Sequence, residues 1–193
     1  MKKYDIMNMP NAEYGKCKIG EFDISEKDVS ITNLRLVFTP GMGNRVIYPG
    51  RYKYLKINGT TVMSNTHAEI SDHSYFVYNA KGSVLVNGLG LGVVLCDLLN
   101  KPDVIEVTVI EKEEDVIRLV SPFFKDEKRL TIIHADALTW KLPKGKRYDC
   151  VWHDIWPSIC GDNLVGMKLL HRRYGRRTRY QESWCRSICE MHR

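Results

Sequence analysis

Ser83-Val84-Leu85-Val86-Asn87-Gly88-Leu89-Gly90-Leu91-Gly92-Val93 is the stretch on which the reading of this chain turns. It opens with an apolar run that does not alternate with polar residues, as a central parallel strand covered on both faces requires. Gly88, Gly90 and Gly92 then come at every second position. Glycine allows a tight turn and lets a ligand approach with no Cβ in the way. A helix is predicted from near Gly92 to about Asn100, its free N–H groups facing whatever lies over the turn. Nineteen residues past Gly92, a second apolar strand, Val104 to Ile110, ends in Glu111. A carboxylate there is placed to accept both hydroxyls of a ribose. Without that acid, the glycines would fit a plain strand–turn–helix corner.

The pattern repeats downstream. Asp115–Val120 reads as an amphipathic helix stopped near Ser121-Pro122. Leu130–Ile133 is a third strand running into His134-Ala135-Asp136-Ala137, with a short helix after it. Tyr148–Asp154 is a fourth strand, again ending in an acid. Alternating strands and helices predict a Rossmann-like, mostly parallel α/β sheet. Ligands of such sheets bind at the carboxyl ends of the strands. Gly88–Gly92, Glu111, Asp136 and Asp154 all fall there.

Upstream, residues 1 to about 33 are polar and predict irregular structure with short strands near 16–19. Leu34–Phe38 and Arg45–Tyr48 read as short strands around the turn from Pro40 to Asn44. Tyr52–Ile57 and Thr61–Ser64 flank Asn58-Gly59, a strong hairpin signal. Thr66–Ala80 reads as a helix, with Thr66 and Glu69 spaced for a capping box. Beyond Pro157, Gly161–Arg173 and Thr178–His192 read as two helices, with no further strand. The expected organisation is an N-terminal extension and antiparallel β element over 1–65, a core over 66–160 and basic C-terminal helices over 161–193.

The 193 residues, 44% hydrophobic and 27% charged, fit one globular domain. No apolar run approaches a membrane span, and the N-terminus lacks the apolar core of a signal peptide. A cytoplasmic location is the expectation. The six cysteines include no CxxC pair and read as reduced thiols. Cys185, Cys189 and His192 could share a helix face, but no second ligand pair accompanies them, so no metal is expected. The net charge of +6 matches that of residues 168–193 alone, which carry eight Lys/Arg against two acids.

Over about Tyr52 to Pro157 the chain resembles the class I S-adenosylmethionine-dependent methyltransferase fold in its spermidine-synthase-like branch. It also resembles small phage-encoded proteins often labelled with either activity. VLVNGLGLG is similar to motif I, and VTVIEKEEDVIRLV to the stretch carrying the ribose-binding acid. IIHADALTW is similar to the stretch in which an Asp meets the adenine amino group. YDCVWHDIWP resembles the fourth-strand motif, whose acid faces the reacting centre. TVMSNTHAEISDHSYF resembles the segment preceding motif I in polyamine synthases. The resemblance implies S-adenosylmethionine contacts from Gly88, Leu89, Gly90, Gly92, Glu111, Lys112, Asp136 and Ala137. Three departures matter. Leu91 stands where polyamine synthases carry an Asp that serves aminopropyl transfer. Asp154 sits in DIWP rather than a DSSDP-like pattern. The final antiparallel strand pair of the fold is missing.

Methyl transfer from a sulfonium needs in-line placement, removal of water and sometimes a base. Asp154 is the candidate catalytic group. His153 faces the opposite side of the strand and reads as packed. Asp72, His73 and Trp156 are candidate substrate contacts, against a solvated helix face for the first two and a core role for the third. Asp136 could equally cap a turn. The run His171–Tyr180 interleaves arginines with Tyr174 and Tyr180, a pattern suited to phosphate and bases. Nucleic-acid contact over Arg172 to Arg179 is weighed against a basic helix packed on its own fold or on a second copy. Three functions are therefore carried forward: methyl transfer to an unknown acceptor, aminopropyl transfer, and nucleic-acid binding with a non-catalytic nucleoside domain.

Overall fold

The computed structural model describes residues 3–37, 39, 41–42 and 45–192. Two sheets organise it. The first is antiparallel, in the order β1 (Ala12–Tyr14), β2 (Cys17–Ile24), β3 (Gly50–Ile57), β4 (Thr60–Ser64). Asn58 and Gly59 join β3 to β4 with φ of 51° and 78°. Positive φ at both central residues is what a type I′ hairpin turn demands, and Asn-Gly tolerates it best.

The second sheet is wholly parallel. It contains β5 (Gly82–Asn87), β6 (Val104–Glu111), β7 (Leu130–His134), β8 (Tyr148–His153) and β9 (Thr178–Ser183), in the order β7-β6-β5-β8-β9. The chain starts at the centre, builds outward through β6 and β7, then returns to the other side for β8 and β9. The switch point lies between β5 and β8. Helices α2 (His67–Asn79), α3 (Val93–Leu99) and α4 (Glu114–Val120) enclose one core with the sheet, which holds Phe76, Val84, Val86, Leu95, Val120 and Trp152. Cys17, Ile19 and Leu55 of the antiparallel sheet join that same core. On the opposite face, α5 (Asn163–Tyr174) covers Leu85 and Val151 with Leu170 and Tyr174. β5 is buried on both faces, which is why its residues do not alternate. The antiparallel sheet docks on α4: the Lys16 backbone N–H donates to Asp115 at 3.1 Å, and its ammonium meets Glu113 at 2.5 Å.

Several expectations need correction. The segment up to residue 33, expected to be irregular apart from short strands near 16–19, holds β1, a β2 that covers 17–19 and runs on to Ile24, and the start of α1 (Glu26–Val37). That helix also replaces the strand expected over 34–38, of which Phe38 lies outside the described residues. A Ser25–Asp28 exchange opens it: Ser25 Oγ donates to Asp28 at 2.7 Å and accepts from the Asp28 backbone N–H at 3.3 Å. No strand forms over 45–48, and Pro40, Gly43 and Asn44 of the expected turn lie outside the described residues. Residues 136–140 form a turn rather than a helix, held by the Asp136 carbonyl accepting from Thr139 and Trp140. Thr66 makes no side-chain cap; Glu69 reaches past it to the Ser64 N–H and hydroxyl at 2.9 and 2.8 Å. Most important, the second expected C-terminal helix is split. Thr178–Ser183 forms β9, parallel to β8, and only α6 (Arg186–Met191) is helical. No described helix is long and apolar enough to cross a membrane.

Candidate functional site

The carboxyl ends of β5, β6, β7 and β8 meet on one rim. At its centre the glycine turn holds left-handed φ at Gly88, Gly90 and Gly92, of 98°, 51° and 83°. L side chains rarely adopt such angles. Two of these glycines also answer to close neighbours. A Cβ on Gly88 would lie 1.9 Å from the Asp154 carbonyl oxygen, and one on Gly90 would lie 2.5 Å from the Met63 sulfur. The backbone after β8 therefore crosses directly over Gly88, at the switch point. Met63 of β4 lies on the turn, its sulfur accepting from the Leu91 N–H at 3.1 Å.

Glu111 braces the turn from the next strand. Its two oxygens accept from the backbone N–H groups of Leu89 and Glu113, each at 2.8 Å. Its side chain is buried, so these bonds act in a medium of low dielectric. Each carboxylate oxygen has two lone pairs, and one of each remains for a ligand hydroxyl. Lys112 is exposed beside it, and its carbonyl meets His134 Nε2 at 3.0 Å. Asp136 follows β7, exposed, its Oδ1 accepting from the Leu138 N–H at 2.7 Å. That Asx-turn places the cap and leaves the second oxygen toward solvent. Ala137 beside it is buried.

Asp154 closes the rim. Its N–H donates to the Asn87 carbonyl at 2.8 Å, extending the β5–β8 ladder by one step. Burial pushes its carboxyl up to about 7, and the negative charges of Glu69, Asp72 and Glu111 add to the rise. Burial likewise raises Glu69. His153 faces the other way, toward α5: its Nδ1 meets Asn87 Nδ2 at 2.8 Å and its Nε2 meets Gln181 at 3.2 Å. Asn87 Nδ2 can only donate, so Nδ1 is the acceptor and Nε2 carries the proton. Burial drops that imidazole to about 3, so it stays neutral.

The three candidate substrate contacts separate. Asp72 joins the rim group, where Oδ2 takes the Arg45 guanidinium and, at 3.1 Å, the Trp184 indole N–H. Arg45 also lies 3.2 Å from the Cys185 sulfur. His73 is buried between helices, with Nε2 3.1 Å from Asp97 of α3. Trp156 packs on α5, where a Cβ on Gly166 would lie 3.3 Å from its ring. A cavity of about 370 Å³ opens beside Asp72, between α2, β9 and α6, with Phe76, Trp152, Glu182 and Cys185 in its wall. Arg45, Met63 and Trp184 were not singled out from sequence, and Cys185 was weighed only as a metal ligand. Only Arg45 and Asp72 as an opposite-charge pair carried any signal, and 27 residues separate them. Among the described residues no group of three or more His, Cys, Asp and Glu is arranged to hold a metal ion.

No protein-family model and no curated protein matches the sequence. Solved structures do match part of it. The N-terminal domain of EvdMO1 with SAH bound aligns at 17% identity with a TM-score of 0.42, over 54% of this chain and 43% of that one. The DhpI–SAH complex aligns at 14% and 0.44, over 56% and 50%. The 23S rRNA methyltransferase ErmE aligns at 16% and 0.41, over 51% and 36%. The chain spans half or less of the length of these structures.

Proposed function

We propose that this chain transfers a methyl group from S-adenosylmethionine, with the rim between β5 and β8 as its site. The observation that carries the reading is the Leu89–Glu111 bond of 2.8 Å, which fuses the glycine turn and the second-strand acid into one unit at the switch point. The donor set fits a nucleoside with a charged tail. Glu111 keeps lone pairs for ribose hydroxyls, Asp136 keeps an oxygen for an exocyclic amine, and the carboxyls of Glu69 and Asp154, beside the Arg45-paired Asp72, make the rim acidic where a cationic tail would lie. Met63 is the side chain that shifts to open the turn, and an unbranched thioether moves at little cost.

S-adenosylmethionine supplies an already activated methyl group. The chain's part is to hold the donor and acceptor in line, exclude water and take a proton. Asp154, with a carboxyl near 7, is matched to accept a proton at neutral pH. Leu91 bears on the aminopropyl alternative. It is fully buried in the core, so the turn offers no carboxylate at the position that polyamine synthases use.

Calorimetric titration with S-adenosylmethionine, S-adenosylhomocysteine and decarboxylated S-adenosylmethionine tests the reading. Micromolar binding of the first two with weaker binding of the third is expected. Preference for the decarboxylated donor would transfer the site to aminopropyl chemistry, and binding of none would reduce the turn to scaffold.

A further inference from the structure

The basic charge of this protein is gathered at the end of the sheet opposite the rim. Residues 141–147 and 168–179 hold ten of the 29 Lys/Arg and none of the 23 Asp/Glu, which leaves the rest of the chain at −4. The fold brings the two runs together. The Tyr148 N–H donates to the Arg177 carbonyl at 3.0 Å, and Arg177 reaches the Lys146 carbonyl at 3.4 Å. Arg173 holds the loop before β8 by donating to the carbonyls of Ala137 and Trp140 at 2.6 and 3.1 Å, and to that of Leu138. A cleft of about 330 Å³ lies along this seam, with Thr139, Lys141, Leu142, Arg173 and Arg177 in its wall.

The cations therefore divide into two kinds. Arg173 and Arg177 are spent on backbone carbonyls, and Lys146 on Glu106 at 2.7 Å, and these fix the surface. Lys141, Lys144, Arg147, Lys168, Arg172 and Arg176 are exposed, and among the described residues their side chains have no hydrogen bond or ion pair. Arg179 is exposed too, with a 3.7 Å pair to Asp149. A solvated helix end alone would account for the last turn of α5, where cations complement the dipole. It does not account for the matching run across the cleft, which belongs to a loop.

We propose that this face binds the phosphodiester backbone of a duplex nucleic acid, by charge rather than by base. Guanidinium groups match phosphate oxygens in a two-toothed geometry that ammonium groups lack. The aromatic residues of the run do not offer stacking platforms: Tyr174 is fully buried, and Tyr180 packs on Phe76 with ring centroids 5.7 Å apart. Neither tyrosine of the run thus offers a free ring to an unpaired base, which favours contact through the backbone. α5 follows the carboxyl end of β8 and its 12 residues, about 18 Å of helix, end at the basic face. The inference stands whether or not the rim transfers methyl groups.

The test is fluorescence anisotropy with 20-base-pair RNA and DNA duplexes over 50 to 200 mM salt. Three to four phosphate contacts give a log–log slope of about −3, an affinity loss of about 60-fold over that range. The triple variant Arg172→Glu/Arg176→Glu/Arg179→Glu is expected to melt like the parent and to lose both affinity and slope. Arg173→Ala serves as the contrast, expected to lower the melting point through the loop it holds. Absence of duplex binding at 50 mM salt, or equal binding by a folded triple variant, overturns the proposal. Binding to vesicles of 30% phosphatidylserine without duplex binding would also overturn it and assign the face to a membrane surface.

Discussion

Replacing Glu111 with Gln tests whether the glycine turn is held from β6. The wild-type carboxylate accepts from the Leu89 and Glu113 N–H groups, both at 2.8 Å, from a side chain that is 8% exposed. Gln keeps the shape and one acceptor, but its amide NH₂ must face one of the two N–H donors. One charge-assisted bond is lost, and a buried donor is left without an acceptor, at about 1.5–3 kcal/mol. For a chain of this size each kcal/mol moves the melting point by about 2–4 °C, so a fall of about 3–12 °C is expected. Scanning calorimetry without ligand, at neutral pH, reads it directly. A melting point within about 1 °C of the parent would mean that the turn stands without Glu111. Titration of the same variant with S-adenosylmethionine separates bracing from ribose binding, since a ribose role predicts weakened binding well below the melting transition.

Gly88→Ala is expected to lose about 2–4 kcal/mol in urea unfolding, from strain at φ +98° and a Cβ 1.9 Å from the Asp154 carbonyl. Gly145→Ala, with φ +82° and nothing within 4 Å of its Cβ, should show the strain without the clash. Asp154 carries a carboxyl raised from 3.8 to about 7, so the folded state holds its proton longer than the unfolded state. Its ionisation therefore weighs on stability increasingly from about pH 4 to 7, and Asp154→Asn should gain in melting point over the parent across that window, then stay level. If Asp154 is the base, turnover should rise through pH 7 and fall about 10²–10⁴-fold in the same variant. Glu127, lowered to about 2 chiefly by its bond with Arg129, contributes stability above its ordinary range that is lost as pH falls through 2. Glu127→Gln should therefore melt below the parent at pH 7, with the gap closing in acid.

The parts of the fold that could be read from sequence are those whose cause is local. β5 lacks alternation because both its faces are covered, and Asn58-Gly59 turns because both residues take positive φ. Glu111, Asp136 and Asp154 were placed on one rim by strand ends alone, since parallel strands all finish on the same side. β9 was not legible. Thr-Arg-Tyr-Gln-Glu-Ser has no apolar alternation, and it is a strand because β8 offers it a ladder and Phe76 offers Tyr180 a partner. α1 was missed although Ser25-Glu26-Lys27-Asp28 is a capping signal, because the apolar run Leu34-Arg35-Leu36-Val37-Phe38 was read as a short strand. Arg45, Met63 and Trp184 reach the site from distant segments, a juxtaposition that no spacing in the chain announces.

The thioether of Met63 on the Leu91 N–H bears on modularity. A strand, a glycine turn and a helix look like a part that could be lifted into another scaffold. Here its supports come from elsewhere: β4 lies over Gly90, the backbone after β8 lies over Gly88, and β6 lends the carboxylate that holds Leu89. The transferable unit is therefore β4 together with the stretch from β5 to Asp154, and a graft of the turn alone would import its strain without the contacts that hold it.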